Sequence, residues 1–188
     1  VNKMLPDKRQ SSLAYLEKYF APKGIKVSGA FDYSAVLADP TLQNLSKLLD
    51  KPLQGDQGKR QRIIHHIHLG AASSQKVIDN LKDSTLLLTT SSRDELLVTL
   101  SSLYNIPAFQ DKIAGIVIPG HAPVSAITQR IIDDSCIPYI RIEKTTAEVY
   151  NALTDHISKI SHEDTEKISL VTSQAEQVID FESIKAIL

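Results

Sequence analysis

The sequence predicts an α/β fold, a mostly parallel sheet flanked by helices, and three observations carry that prediction. First, short apolar runs rich in branched residues alternate four times with stretches of helical periodicity. Second, the stretch LLLTTSSRDELLVTLSSL, Leu86 to Leu103, compresses one such unit into 18 residues. Its unbroken apolar run stops at four hydroxyl residues, Thr89 to Ser92. Apolar residues then recur at Leu96, Leu97, Leu100 and Leu103, the spacing of one helical face. Third, Ser92 followed three residues later by Glu95 has the pattern of a capping box, which places the helix start at Arg93.

The expected strands are Ile63–Leu69, Thr85–Thr89, Ile113–Ile118 and Tyr139–Ile142. The expected helices lie near Ser74–Leu81, Arg93–Tyr104, Val124–Asp133 and Thr146–Ile157. Ser73 or Ser74 caps the first helix, Pro123 opens the third, and Thr145 with Glu148 forms a second box.

Before this region, Val1–Leu5 reads as the end of a strand and Pro6-Asp7 turns into a helix carrying Leu13, Leu16 and Phe20, closed by Pro22-Lys23-Gly24. Ile25–Gly29 reads as a short strand. Asp39-Pro40 reads as an N-cap and first helical residue ahead of Leu42, Leu45, Leu48 and Leu49. The polar GDQGKRQR marks a boundary near residue 51. After it, 161–188 reads as two helices broken before Phe181, with Ile168, Val171, Ala175, Val178 and Ile179 on one face. The expected organisation is a segment 1–50, an α/β domain 51–160 and a helical connector 161–188.

A formal net charge of −1 gives no electrostatic reason to expect nucleic acid or an anionic membrane as partner. Cys136 is the single cysteine, so no internal disulfide forms, and a cytoplasmic setting is expected. No apolar run approaches the ~18 residues of a membrane span. The chain opens at Val1-Asn2-Lys3-Met4, which reads as an excised piece of something larger.

His66 and His68 share a strand face and, with His121, could approach a metal. The chain has no HExxH or CxxC spacing, so they read as ordinary strand histidines, with His65 beside them. Gly55-Asp56-Gln57-Gly58-Lys59-Arg60 lacks both the glycine spacing and the Ser or Thr of a phosphate loop and reads as a hydrated turn. Asp133-Asp134 read as solvated surface. No GxGxxG or GxSxG is present, so neither cofactor nor catalytic nucleophile is expected. What remains is the ring of loops at the strand carboxyl ends: Gly70–Ser74, Thr89–Asp94, Pro119–Pro123 and Glu143–Thr146. They offer hydroxyls, helix N–H groups and the cation Arg93, a set suited to an anion or nucleotide. The alternative is that they are simply caps and turns, which every βα unit requires.

Ser91-Ser92-Arg93-Asp94-Glu95 followed by LLVTL, then IAGIVIPGH, then IPYIRIEKTTAEVYNAL, resembles the DRTGG domain in the middle of long-form bacterial phosphate acetyltransferases. The resemblance runs from about Ile63 to Ile157. Val1-Asn2-Lys3 and Ile25–Gly29 with ADPTLQNL resemble the tail of the dethiobiotin-synthetase-like P-loop domain that precedes it there. Glu166-Lys167-Ile168 through Val178-Ile179-Asp180 resembles the connector to the catalytic domain. Of the family's Asp-Arg pair, Ser92 replaces the aspartate and Arg93 keeps the arginine. Of its Thr-Gly-Gly, Pro119 and His121 depart and Gly120 agrees. The resemblance implies a cytoplasmic, homo-oligomeric parent enzyme that exchanges acetyl between acetyl phosphate and coenzyme A, with this chain as a non-catalytic regulatory or assembly region. It places a small anionic effector at Ser91, Ser92, Arg93, Gly120 and His121. The rival expectation is a purely structural oligomerisation domain.

Overall fold

The computed structural model describes residues 1–156 and 158–185, with the side chain of Ser183 outside the description. The predicted helix end at Ile157 and the last three residues of the predicted connector lie outside the described residues. The helices and strands in chain order are α1 (Arg9–Phe20), α2 (Ala35–Ala38), α3 (Leu42–Leu49), β1 (His66–Leu69), α4 (Ser74–Asp79), β2 (Thr85–Leu88), α5 (Asp94–Tyr104), α6 (Pro107–Gln110), β3 (Ile113–Pro119), α7 (Ala126–Ser135), β4 (Tyr139–Ile142), α8 (Thr146–Thr154), α9 (Thr165–Val178) and α10 (Phe181–Lys185). They fall into two compact units, Ala38–Lys159 and Val1–Leu37 with Ile160–Leu188.

In the larger unit the four strands pair in parallel in the order β1-β2-β3-β4. A sheet that grows in one direction through right-handed crossovers puts every crossover helix on the same face. The packing agrees: Val77 of α4, Leu96, Leu97 and Leu100 of α5 and Ile132 of α7 gather over Leu87, Ile116 and Ile118. The opposite face is closed from outside the crossovers, by Leu42, Leu45 and Leu49 of α3 and Val149 and Leu153 of α8, which meet Leu86, Leu88, Ile140 and Ile142. Successive strand residues point to opposite faces, so Leu86, Leu87 and Leu88 must all be apolar because β2 is covered on both.

Helix α3 therefore belongs to the sheet unit and not to the predicted segment 1–50. Its cap is also not Asp39-Pro40. Thr41 accepts from the Asn44 amide at 3.1 Å, and the Asn44 side chain accepts from the Thr41 amide at 2.9 Å, a complete capping box. β1 begins three residues later than the apolar run suggests, because Ile63 and Ile64 are engaged elsewhere. Ile63 bridges Thr41, and the Ile64 amide donates to Pro40 O at 2.8 Å. The last predicted box is present. Thr145 caps Glu148, whose carboxylate returns to the Thr145 amide at 2.8 Å. Hydrogen bonds from the Thr145 hydroxyl and then its amide hold the Glu148 carboxyl below the usual range. Thr145→Ala should cost about 1 kcal/mol in urea unfolding. That loss should shrink as pH falls through the lowered Glu148 value, because the carboxylate's stabilising contribution is complete only above the ordinary glutamate range.

On the free side of β4, Gln54 forms an isolated antiparallel bridge with Tyr139, with amide–carbonyl bonds of 2.8 and 3.0 Å. The buried Tyr139 hydroxyl lies 2.5 Å from Gln54 Oε1 and 2.8 Å from Asp133 Oδ1, and accepts from Gln129 Nε2. Burial first, and Asp133 next, raise the Tyr139 hydroxyl to about 12. Asp133 is therefore more than solvated surface.

The smaller unit contains no strand among its described residues, which corrects both strands predicted there. Val1–Leu5 contributes only the Met4–Asp32 bridge, and Ile25–Gly29 forms no ladder. Its backbone groups bond singly: Phe31 N–H to Val1 O, Tyr33 N–H to Met4 O, and Asp180 N–H to Ser28 O. The break before Phe181 stands as expected, and so does the end of the first helix ahead of Gly24, which the structure shows in the αL conformation. No helix among the described residues is long and apolar enough to cross a membrane.

Candidate functional site

Every strand of a parallel sheet ends at the same edge, so the loops leaving β1, β2, β3 and β4 share one rim. Arg93 and Gly120 both lie on it. The β2–α5 and β3–α7 loops touch directly. The Ser91 amide donates to Pro119 O at 3.3 Å, and a Cβ added to Gly120 would lie 3.0 Å from Ser91 Oγ. Gly120 has φ +128°, a conformation that a side chain disfavours. Its own amide turns toward β4, to Ile142 O and Lys144 O at 3.1 and 2.9 Å.

Arg93 sits differently from the predicted arrangement. It is itself the N-cap residue, α5 starts at Asp94, and the Ser92–Glu95 capping box does not form. Glu95 instead bonds Arg93 Nε, and that bond is the main cause holding the Glu95 carboxyl below its usual range. The Ser92 hydroxyl pairs with Thr90 Oγ1 at 3.0 Å. The rest of the Arg93 guanidinium crosses to the neighbouring loop, donating to Gly70 O and Ala72 O at 3.0 Å each.

Arg141, which the sequence reading passed over, repeats the device. Its two Nη atoms donate to Ile118 O and Ile142 O at 2.8 Å, and to Gly120 O and Ala122 O at 2.6 Å. Each arginine thus clasps the first and third carbonyls of a Gly-x-Ala loop, Gly70-Ala71-Ala72 in one case and Gly120-His121-Ala122 in the other. The alternation in YIRI points only to an outward polar residue at 141 and gives no sign of the clasp.

Two hydroxyl-bearing residues just past the end of β2 are buried. Thr89 is 2% exposed and its Oγ1 has no hydrogen-bond partner; it faces the Gly70 side, 3.2 Å from where a Gly70 Cβ would stand. Ser91 is 5% exposed and points toward Gly120. His121 and Lys144 are exposed at the same edge, close enough for their charge to act on Glu148. The third helix is capped by Ser125, which accepts from the Thr128 amide at 3.2 Å, and not by Pro123, which lies ahead of it in the loop.

The histidines do not converge. His65 Nδ1 pairs with Asp39 at 2.7 Å, His66 is exposed, and no group of three metal-ligating side chains occurs among the described residues. Gln57–Lys59 is a short 3-10 turn capped by Asp56.

These features define a parallel α/β domain, a four-stranded sheet flanked by helices with its candidate site on the loops at the strand carboxyl ends. The chain belongs to the DRTGG domain family, whose profile matches residues 46–156. No curated protein matches it. Among solved structures it is similar to the CBS and DRTGG domains of the regulatory region of Clostridium perfringens pyrophosphatase, crystallised with its activator diadenosine tetraphosphate. That similarity has a TM-score of 0.49 at 10% identity, over 87% of this chain and 83% of that one.

Proposed function

We propose that the chain is the non-catalytic regulatory and assembly region of a phosphate acetyltransferase, and that it receives a small anionic effector at Ser91, Ser92, Arg93, Gly120 and His121. The observation that carries the effector is the direct contact of the β2–α5 and β3–α7 loops, which sets the Ser91 hydroxyl, just ahead of the amino end of α5, against a glycine at positive φ. The parentage rests on the order of the DRTGG-like segments and on the flanks that resemble the neighbouring domains of that enzyme.

The expected result is that the chain alone transfers no acetyl group but melts at a higher temperature with one of pyruvate, phosphoenolpyruvate, acetyl phosphate or a nucleotide. A hundredfold excess over Kd contributes about 2.7 kcal/mol. A flat response to all four would remove the effector. For the parentage, a Walker sequence upstream and an acyltransferase domain downstream in the same reading frame is the expected finding, and a different neighbour on either side would overturn it.

A second reading, a purely structural oligomerisation domain, draws on Arg93 itself. Much of its guanidinium is spent on Gly70 O, Ala72 O and Glu95, which is how an arginine that stiffens a loop behaves. Light scattering that reports a dimer together with flat melting curves would select this reading.

A further inference from the structure

We propose that a second copy of this chain pairs with the free edge of β1, antiparallel and about a twofold axis at His68, so that the two sheets become one. The proposal rests on the assembly part of the reading above and names the surface that carries it.

The sheet has two edges, and they differ. At β4 the strap around Gln54 covers the edge through its bonds to Tyr139. At β1 the cover stops early: Thr41 bridges Ile63 and the Ile64 amide donates to Pro40 O, with nothing comparable further along the strand. The His66 and Gly70 amides donate across to β2, to Ser84 O and Leu88 O. Backbone groups alternate along a strand, so those of Ile67 and Leu69 point the other way. Neither residue's N–H or C=O has a hydrogen-bond partner among the described residues. Such an edge is a template for another strand, and His66–Leu69 holds no lysine or proline to turn one away.

What fits is the same strand reversed. An antiparallel pair centred on His68 sets Ile67 opposite the second copy's Leu69, and each outward N–H then meets a C=O. The neighbouring registers fit less well. Pairing centred on Ile67 would need His65, whose amide is turned to Ser84 O, and pairing centred on Leu69 would run into the Gly70–Ala72 loop held by Arg93.

The side chains agree with the backbone. Ile67 stands in register with Leu86, and Leu69 with Leu88, so both lie on the face covered by α3 and α8. Ile67 packs on that core, whereas Leu69 is left 39% exposed. Across the axis each Leu69 lies beside the second copy's Ile67, an apolar pair that carries the core over the seam. A strand already folded gives up little conformational freedom on pairing, which favours a second copy over a disordered peptide. The twofold occupies the edge in both copies, so assembly through it stops at the dimer.

The test uses the intact 188-residue chain, followed by sedimentation over a range of concentrations with amide hydrogen exchange measured in parallel. The expected result is a monomer–dimer equilibrium in which the Ile67 and Leu69 amides gain protection with concentration, while the His66 and His68 amides, turned to β2 in either state, do not. Leu69→Lys should weaken the dimer about tenfold, since the apolar pair is lost and an edge lysine resists a neighbouring strand; should this variant not fold, the wild-type exchange decides. A dimer whose Ile67 and Leu69 amides exchange at the monomer's rate would overturn the edge and leave the assembly reading standing on another surface. A monomer at every concentration would overturn both. Protection independent of concentration would show that the chain covers its own edge, and protection gained only with an added extended peptide would give the edge to a foreign strand; either result overturns the second copy.

Discussion

Gly55→Ala should unfold at a markedly lower urea concentration, a loss of about 3 kcal/mol or more, although Gly55 is exposed and lies in a polar turn. The reason is backbone, not side-chain, crowding. Gly55 has φ +80°, and a Cβ there would stand 2.2 Å from Ile137 O and 2.8 Å from Ile137 C. Those are main-chain atoms of the segment entering β4, which cannot swing aside as a flexible side chain could. Relief requires the 53–56 strap to lift. Lifting it breaks the paired Gln54–Tyr139 bonds and the Asp56 amide bond to Cys136 O, and leaves the Tyr139 hydroxyl without Gln54 Oε1. Amide hydrogen exchange gives the site-specific check. The Tyr139 and Gln54 amides should lose protection in the variant, whereas those of β2 should change only by the global loss. Wild-type stability in this variant would mean that the strap is not what closes the β4 edge.

The contrast between that glycine and the sheet shows which parts of the molecule its sequence discloses. Leu86 to Leu88 could be recognised as a buried strand because burial on both faces is a property of the residues themselves. Tyr139–Ile142 was legible to the residue, and Thr145 with Glu148 was legible because the capping partners lie three residues apart. Ser92 and Glu95 have the same spacing and do not form the box, since Arg93 competes for the glutamate at shorter range. Ile25–Gly29 has the alternation of a strand, but a strand also needs a neighbour in register, and the partners available, Val1 at Gly29 O and Asp180 at Ser28 O, offer only isolated bonds. At the rim, Gly120 and Ser91 could be picked out from loop position. The clasps of Arg93 and Arg141 could not, because their acceptors are carbonyls that every residue carries, brought near by the order of the strands.

Arg62→Lys should be nearly as damaging as Arg62→Ala, each costing about 2 to 4 kcal/mol. Arg62 precedes β1 at the amino edge of the sheet, opposite the candidate site. Its Nε donates to Ser84 Oγ at 3.3 Å, Nη1 to Gln110 O at 2.5 Å and Ile113 O at 3.1 Å, and Nη2 to Asp111 O. Ser84 leads into β2, Gln110 and Asp111 lead into β3, and Ile113 is its first residue. One guanidinium therefore ties the entries of three strands, with Ser84 held at φ +54° and its own hydroxyl donating to Ile63 O. Burial pulls Arg62 below the ordinary guanidinium range, with Tyr104, Asp111 and Asp83 opposing the shift. A lysine ammonium has three donors on one atom and cannot reach acceptors spread around a planar fork, so it keeps the charge and loses the geometry. A lysine variant of wild-type stability would show that the charge alone matters here, beside Asp111 and Asp83. The two substitutions should also speed exchange of the Ser84 and Thr85 amides, which donate to Asp111 O and Lys112 O at 2.8 Å in this knot. The effect should reach the distant rim only weakly. The Ser91–Gly120 contact is made by the loops after β2 and β3, so any effector shift in melting temperature should persist in a lysine variant that still folds.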